Sequence, residues 1–114
     1  MNEEWKKDYD WQEAFGFADF SIDDVATVLH SDEGYNDGDS WLSFGKLKNG
    51  KYYFLSAWCD YTGWDCQSGG DSFVGDTAEE VMRFGMSDAE RKRLGIDLGD
   101  ARHEYVPPYI DGDI

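Results

Sequence analysis

Basic residues are scarce in this chain. Ten lysines and arginines stand against 25 aspartates and glutamates, which gives a formal net charge of −15 over 114 residues. Phosphate backbones are bound chiefly by lysine and arginine, so this shortage argues against direct nucleic-acid binding. It argues equally against docking on an anionic membrane surface. We therefore expect any charged partner to be basic.

Long apolar runs and cysteines are also scarce. No run approaches the roughly 20 residues of a membrane-spanning helix, and the opening residues MNEEWKKDYDW lack the apolar stretch of a signal peptide, so we expect a cytoplasmic protein. The two cysteines do not suggest a disulfide framework, and a chain of this length can fold as one domain without disulfide, metal or cofactor.

Aromatic residues, in contrast, are abundant at 17% of the chain, which indicates a packed core rather than a disordered acidic tail. The negative charge is uneven. Residues 1–40 carry a net charge of −10, residues 41–95 carry −1 and residues 96–114 carry −4. A near-neutral folded middle therefore has acidic segments on both sides.

Four helices are predicted. Trp11 and Phe15 share one helical face within a short helix of the loosely held segment 1–20. Ser21 begins a second helix, over residues 22–31, through a capping box and an apolar stripe. Two further capping boxes begin helices over residues 77–84 and 87–94, after which residues 97–114 form an extended acidic tail.

Three strands are predicted between the helices. Asn49-Gly50 is a strong signal for a two-residue type I′ hairpin turn between strands 41–48 and 51–60, in a register that places Trp41 opposite Trp58. A second turn at residues 62–63 leads into a strand over residues 64–74, in which Gly69-Gly70 marks a bulge. The fold class is therefore α+β: a single domain with a three-stranded antiparallel β-meander packed with short α-helices.

Alternation along these strands assigns apolar side chains to both faces of the sheet. One predicted face carries Leu42 and Phe44 together with Tyr53 and Leu55, and the other carries Phe54 and Phe73. A sheet with one solvated face would be polar on that side. Helices therefore cover both faces, or one face binds a ligand.

The hairpin segment also carries a resemblance. The stretch GKYYFLSAWCDYTGWDCQSGG, with FADFSIDDVATVLHSDEGYNDGDSW before it and AEEVMRFGMSDAERKRLGI after it, resembles a group of small acidic proteins of unassigned function from bacteria and their phages. The likeness covers roughly residues 15–96, and its most distinctive part is CDYTGWDCQ. It implies a phage or prophage context, in which case the compartment is the host cytoplasm. Acidic inhibitors of host defence nucleases occur in such contexts. This comparison rests on the shared biological setting and not on homology.

The second hairpin supplies the candidate chemical groups. In the predicted register Cys59 faces Cys66; reduced buried thiols are the favoured interpretation, with a disulfide or redox pair and a zinc site as alternatives. Asp60 faces Asp65 beside Trp58. The favoured interpretation is that these two aspartates hydrogen-bond to the backbone of the adjacent turn. Contact with a partner, a cation site and a glycosidase-like carboxylate pair are the alternatives.

Two functional hypotheses lead, neither of them catalytic; a hydrolase that uses the carboxylates of the second, and a structural or assembly role, are the lesser alternatives. The first is an acidic interaction protein that binds a basic partner surface, with a nucleic-acid-binding protein such as a host defence nuclease as one such partner; carboxylates on helix 22–31 and in the loop after it would imitate phosphates. The loop fails the calcium-binding pattern because Gly34 stands where an oxygen ligand belongs. The partner-binding residues would be Asp23, Asp24, Asp32, Glu33, Asp37 and Asp39. The second is a small-molecule, glycan or cation-binding module using Trp58, Asp60 and Asp65.

Overall fold

One four-stranded antiparallel sheet organises residues 3–97, which are the residues described by the computed structural model. Its strands are β1 (Val25–Asp32), β2 (Trp41–Leu47), β3 (Tyr52–Cys59) and β4 (Ser68–Gly75), in that order across the sheet. The helices around it are α1 (Tyr9–Phe15), α2 (Ala78–Phe84) and α3 (Asp88–Leu94), with short 3-10 helices at Glu4–Lys7 and Ile22–Asp24. The fold is α+β in a single domain, as predicted, with one strand more than expected.

The predicted boundaries of the two later helices are confirmed. Glu90 and Ser87 form a reciprocal capping box at the start of α3, with N–O distances of 2.8 and 3.1 Å. The helix ends at Gly95, whose φ of +75° is left-handed. At the start of α2, Thr77 Oγ1 accepts a hydrogen bond from the Glu80 amide. These bonds join residues at most four apart, so local sequence is enough to specify them.

The helix predicted for residues 22–31 is wrong, because this segment forms the edge strand β1. The predicted cap exists: Asp24 Oδ2 accepts a hydrogen bond from the Ser21 amide at 3.0 Å. It closes only one 3-10 turn. The residues that follow are rich in β-branched side chains, and pairing with β2 outweighs a weak local helix preference. The predicted three-stranded meander therefore has four strands.

The register predicted for the first hairpin is wrong by one residue. A type I′ turn requires positive φ at both turn residues, but of Asn49 and Gly50 only Gly50 has one, at +92°. The loop instead contains three residues, and Leu47 exchanges hydrogen bonds with the chain at Gly50 and Lys51. Trp41 consequently pairs with Ala57 and not with Trp58.

This one-residue shift exchanges the faces of β2 relative to β3. Phe44 lies with Phe54 on the second face of the sheet, and not with Tyr53 as predicted. Trp41 lies on the first face, where it packs against Trp64 with ring centroids 5.0 Å apart. The alternation predicted within β3 is therefore confirmed. The β2 side chains, however, lie on the faces opposite to those predicted.

The second hairpin also differs from its prediction. Strand β4 begins at Ser68, which pairs with Cys59, so neither Cys59 and Cys66 nor Asp60 and Asp65 oppose each other. The pairing of β3 with β4 runs without a shift, so the bulge predicted at residues 69–70 is wrong. The residues between the strands form loop 60–67, which contains a helix-like turn.

Each face of the sheet has its own core. The first core includes Trp11 and Phe15 of α1, as their predicted shared helical face requires, and the segment before α1 is tied to β1 by a 2.8 Å hydrogen bond from Lys6 Nζ to the Val25 carbonyl. The second core packs α2 and α3 against the sheet through Val81 and Leu94. Helices thus lie on both faces, as the two-sided apolar pattern predicted. The predicted tail 97–114 lies, apart from Asp97, outside the described residues.

Candidate functional site: an acidic groove at one end of the sheet

The two ends of the sheet differ in charge. At the loop end, β1 and β3 finish, β2 and β4 begin, and loops 33–40 and 60–67 connect them. These loops contain five acidic residues and no basic one: Glu33, Asp37, Asp39, Asp60 and Asp65. The opposite hairpin end carries Lys48 and Lys51 beside Asp23, Asp24 and Asp76, and Lys51 is paired with Asp76. The loop end is therefore the more negative end of the sheet.

The structure divides the six predicted partner-binding residues into two groups. Asp23 and Asp24 precede β1 at the hairpin end, whereas Asp32 ends β1 and the other three follow it. Eight strand residues span about 26 Å when fully extended, so the two groups lie far apart. Asp32 is also bound by the Arg93 guanidinium at 2.8 Å. The six carboxylates predicted to imitate phosphates along helix 22–31 and the loop after it therefore do not form one contiguous row.

Loop 33–40 is fastened to the end of β3 through Cys59. The Asp37 amide donates a hydrogen bond of 2.8 Å to the Cys59 carbonyl, and the Cys59 thiol donates one of 3.1 Å to Asn36 Oδ1. Asp37 has a φ of +60°, a left-handed conformation that aspartate tolerates better than most residues. These contacts hold the Asp37 backbone beside the start of loop 60–67.

Loop 60–67 is organised by turn hydrogen bonds. Asp60 Oδ1 accepts one from the Thr62 amide at 2.8 Å and another from the Thr62 hydroxyl, which supports the interpretation of Asp60 as a turn residue. Trp64 inserts into the first core, and its Nε1 donates a 2.9 Å hydrogen bond to Asp10 of α1. Both cysteines are free thiols; Cys59 is buried as predicted, but Cys66 is exposed.

The helices cover only part of the second face. Along β3 the exposed fraction rises towards the loop end, from 3% at Phe54, which lies in the second core, to 44% at Trp58. Ser56 lies between them and is half-buried. This change follows from helix length, since α2 and α3 have seven residues each and are about 10 Å long. The sheet surface beyond them is open.

Three adjoining hollows of about 240, 370 and 390 Å³ follow this open surface, and we call them together the acidic groove. The first and second share Ser56 and Glu90, and the second and third share Gly38 and Ser40. Five carboxylates line the groove: Asp37, Asp39, Asp60, Asp71 and Glu90. The only base among its lining residues is Arg93, which is paired with Asp32.

The groove joins residues from both functional hypotheses. Asp37 of the first hypothesis lines the third hollow with Trp58 and Asp60 of the second. Asp65 does not line any of the three hollows. Asp71 and Glu90 were missed as site residues, because Glu90 is identified from sequence as a capping residue and nothing local distinguishes Asp71. Only the packing of α3 against the sheet brings them to the same surface.

The loop end also exposes large aromatic side chains. Tyr35 and Tyr61 are exposed in the two loops, and Tyr9 is exposed on α1. Partial desolvation, with Asp65 and Glu13 nearby, raises the pKa of the Tyr9 phenol. Burial, together with the charges of Asp10 and Asp60, raises the pKa of the Cys59 thiol. Exposed tyrosine and tryptophan are typical of protein-binding surfaces.

Among residues 3–97, no three histidine, cysteine or carboxylate side chains are grouped so that they could hold a metal ion. Within the same residues, every helix is too short or too polar to cross a membrane. No protein-family model, curated protein or solved structure matches the chain. The resemblance to small acidic proteins of bacteria and their phages stays a prediction.

Proposed function

We propose that the protein is a non-enzymatic interaction protein whose acidic groove binds a basic segment of a partner protein. The observation that carries the proposal is the composition of the groove, which has five lining carboxylates and a single base that is already paired. Serines 40, 56, 72 and 87 add hydroxyl groups along it. A row of lysines and arginines complements such a surface, and the attraction accelerates association.

Two other occupants fit the charge poorly. Residues 98–114 of the chain itself carry four acidic residues and one arginine, so they would be repelled from the groove. A second copy also carries −15, which opposes self-association. A basic partner is therefore the best match.

The test is the affinity for a defined probe, a ten-residue peptide of alternating lysine and arginine, measured by calorimetry at low and at physiological salt. The groove variant is Asp39→Asn with Asp71→Asn. The control is Asp23→Asn with Asp24→Asn, which changes the net charge equally at the hairpin end. We expect the groove variant to weaken binding about three- to tenfold and the control clearly less. Screening by salt should weaken binding to the unmodified protein.

Equal losses in both variants would show that net charge alone attracts the peptide, and would contradict the proposal. So would the absence of binding at low salt. Light scattering at the same concentrations measures whether the protein dimerises. Dimers that exclude the peptide would show that a second copy of the chain occupies the groove.

Proteins that bind nucleic acid are one partner class within this proposal, since their binding surfaces are basic. A nuclease inhibitor acting by mimicry would have to use the groove and the loop end. Asp23 and Asp24 would lie too far from that surface to contribute. Competition decides this point: duplex DNA should displace the protein from such a partner, and Asp39→Asn with Asp71→Asn should raise the protein concentration needed to compete.

The open indole of Trp58 favours a second candidate, a glycan-binding site in the third hollow, because sugars stack on exposed aromatic rings and hydrogen-bond to carboxylates such as Asp60. A glycan array tests it. Binding that is lost in Trp58→Ala, and that does not change with salt, would favour this candidate over the basic segment.

A further inference from the structure

Trp58 forms an aromatic platform at one end of the acidic groove. Its cross-strand partner is Gly69 on β4. A Cβ atom at Gly69 would lie 2.9 Å from the Trp58 ring, so the absence of a side chain lets the indole lie directly on the β4 backbone. The side chain is nevertheless 44% exposed and forms one wall of the third hollow. The ring is thus supported by backbone and accessible from the groove.

Two carboxylates stand at the same hollow, and both are held by backbone contacts near Cys59. The Asp37 backbone amide donates a 2.8 Å hydrogen bond to the Cys59 carbonyl, and Asp60 is held by its Asx turn with Thr62. The turn uses Asp60 Oδ1. Within residues 3–97, no side chain or amide donates to Asp60 Oδ2 or to the Asp37 carboxylate. Both groups therefore retain acceptor capacity, and both line the same hollow as the aromatic ring.

A planar organic cation suits this combination. An aromatic face attracts cations, and a guanidinium can stack flat on an indole while its edge donates to carboxylates. A lysine ammonium is a compact, strongly hydrated charge and makes less use of a flat surface. A metal ion is a poorer match, because the described residues contain no group of three metal-ligating side chains.

Resting on the proposed function, we propose that the third hollow is the specificity site of the groove and receives one arginine side chain of the partner. Its guanidinium stacks on the open face of Trp58 and donates hydrogen bonds to Asp37 and Asp60. The rest of the groove attracts basic residues by charge, and this hollow selects arginine over lysine.

The experiment compares two probes, a nine-residue polyarginine peptide and a nine-residue polylysine peptide, by calorimetry at fixed salt. The unmodified protein should bind polyarginine about five- to tenfold more tightly. Trp58→Ala should abolish this preference, and Trp58→Phe should retain part of it. Asp37→Asn with Asp60→Asn should weaken polyarginine more than the charge-matched Asp23→Asn with Asp24→Asn. Asparagine suits these positions, because it tolerates the left-handed backbone of residue 37 and can accept the Thr62 bonds.

Nitrogen-15 NMR supplies a readout at the site itself. The indole N–H resonance that disappears in Trp58→Phe identifies Trp58, and it should shift on titration with polyarginine. Thermal unfolding followed by circular dichroism verifies that each variant is folded. Because the two asparagine substitutions are independent of Trp58, they keep the test decisive even where Trp58→Ala fails to fold.

The outcomes separate the two proposals. Equal affinity for both peptides, with an unshifted Trp58 resonance and with loss of binding in Asp39→Asn plus Asp71→Asn, would overturn the arginine site and leave the basic-segment function intact. No difference between any groove variant and the hairpin-end control would overturn both. A preference for polyarginine that disappears with the Trp58 ring supports both.

Discussion

Ser43 of β2 and Tyr53 of β3 share a hydrogen bond that is buried in the protein. Their hydroxyl oxygens are 2.7 Å apart, and the two side chains are 1% and 0% exposed. A hydroxyl left without a partner in an apolar core costs about 1–3 kcal/mol, whereas removing both hydroxyls can be nearly neutral. The single and double variants should therefore behave very differently.

The two single variants should also differ from each other. Ser43 borders a hollow of about 210 Å³ that is lined by Trp5 and Trp11, and a water molecule there can satisfy its hydroxyl. We expect Tyr53→Phe to cost about 1 kcal/mol for this reason. Ser43→Ala strands the Tyr53 hydroxyl and should cost about 2–3 kcal/mol. The double variant should lose about 1 kcal/mol or less relative to the unmodified protein.

Urea unfolding followed by tryptophan fluorescence and circular dichroism measures these free energies. With an m-value of about 2 kcal/mol/M, the Ser43→Ala loss should lower the midpoint by about 1 M. The double-mutant cycle should give a coupling energy of about 2–3 kcal/mol, because the double variant loses that much less than the sum of the two single losses. Losses that simply add in the double variant would refute the reasoning, since they would mean that neither hydroxyl depends on the other.

Three further predictions concern pH and two local contacts. Burial raises the pKa of Tyr53, so above the ordinary tyrosine pKa of about 10 the unfolded chain releases a proton that the folded protein keeps, and stability should fall by up to about 1.4 kcal/mol per pH unit. Alkaline urea titrations should show a shallower fall in Tyr53→Phe, and identical slopes would contradict the assignment. Asp10→Ala removes the acceptor of the Trp64 indole and should cost about 1–2 kcal/mol in urea unfolding, against almost nothing for exposed Asp23→Ala. Ser87→Ala removes one half of the α3 capping box and should cost about 1 kcal/mol, whereas Ser87→Gly should cost only a few tenths; equal losses would argue against the cap.

Features that depend on neighbouring residues could be predicted from the sequence. The starts of α2 and α3 and the left-handed stop at Gly95 follow from hydrogen bonds within one helical turn. The same holds for the Asx turn at Asp60 and for the Trp11–Phe15 face of α1. The prediction for residues 22–31 shows the limit, because a correct cap was extended into a helix that pairing with β2 replaces.

The amino-acid sequence by itself determined the α+β class, the acidic character and the boundaries of α2 and α3, because helix caps act within one turn. Only the tertiary structure decided the strand register, the face on which each β2 side chain lies, and the uncovered sheet surface beyond two short helices. A register slip of one residue changes little in the local sequence preferences, yet it moves every side chain of the strand to the other face of the sheet. A groove, in turn, forms only where segments that are distant in sequence meet. For this reason the folded protein has one surface lined by Asp37, Trp58 and Asp60, whereas Asp23 and Asp24 lie at the opposite end of the sheet.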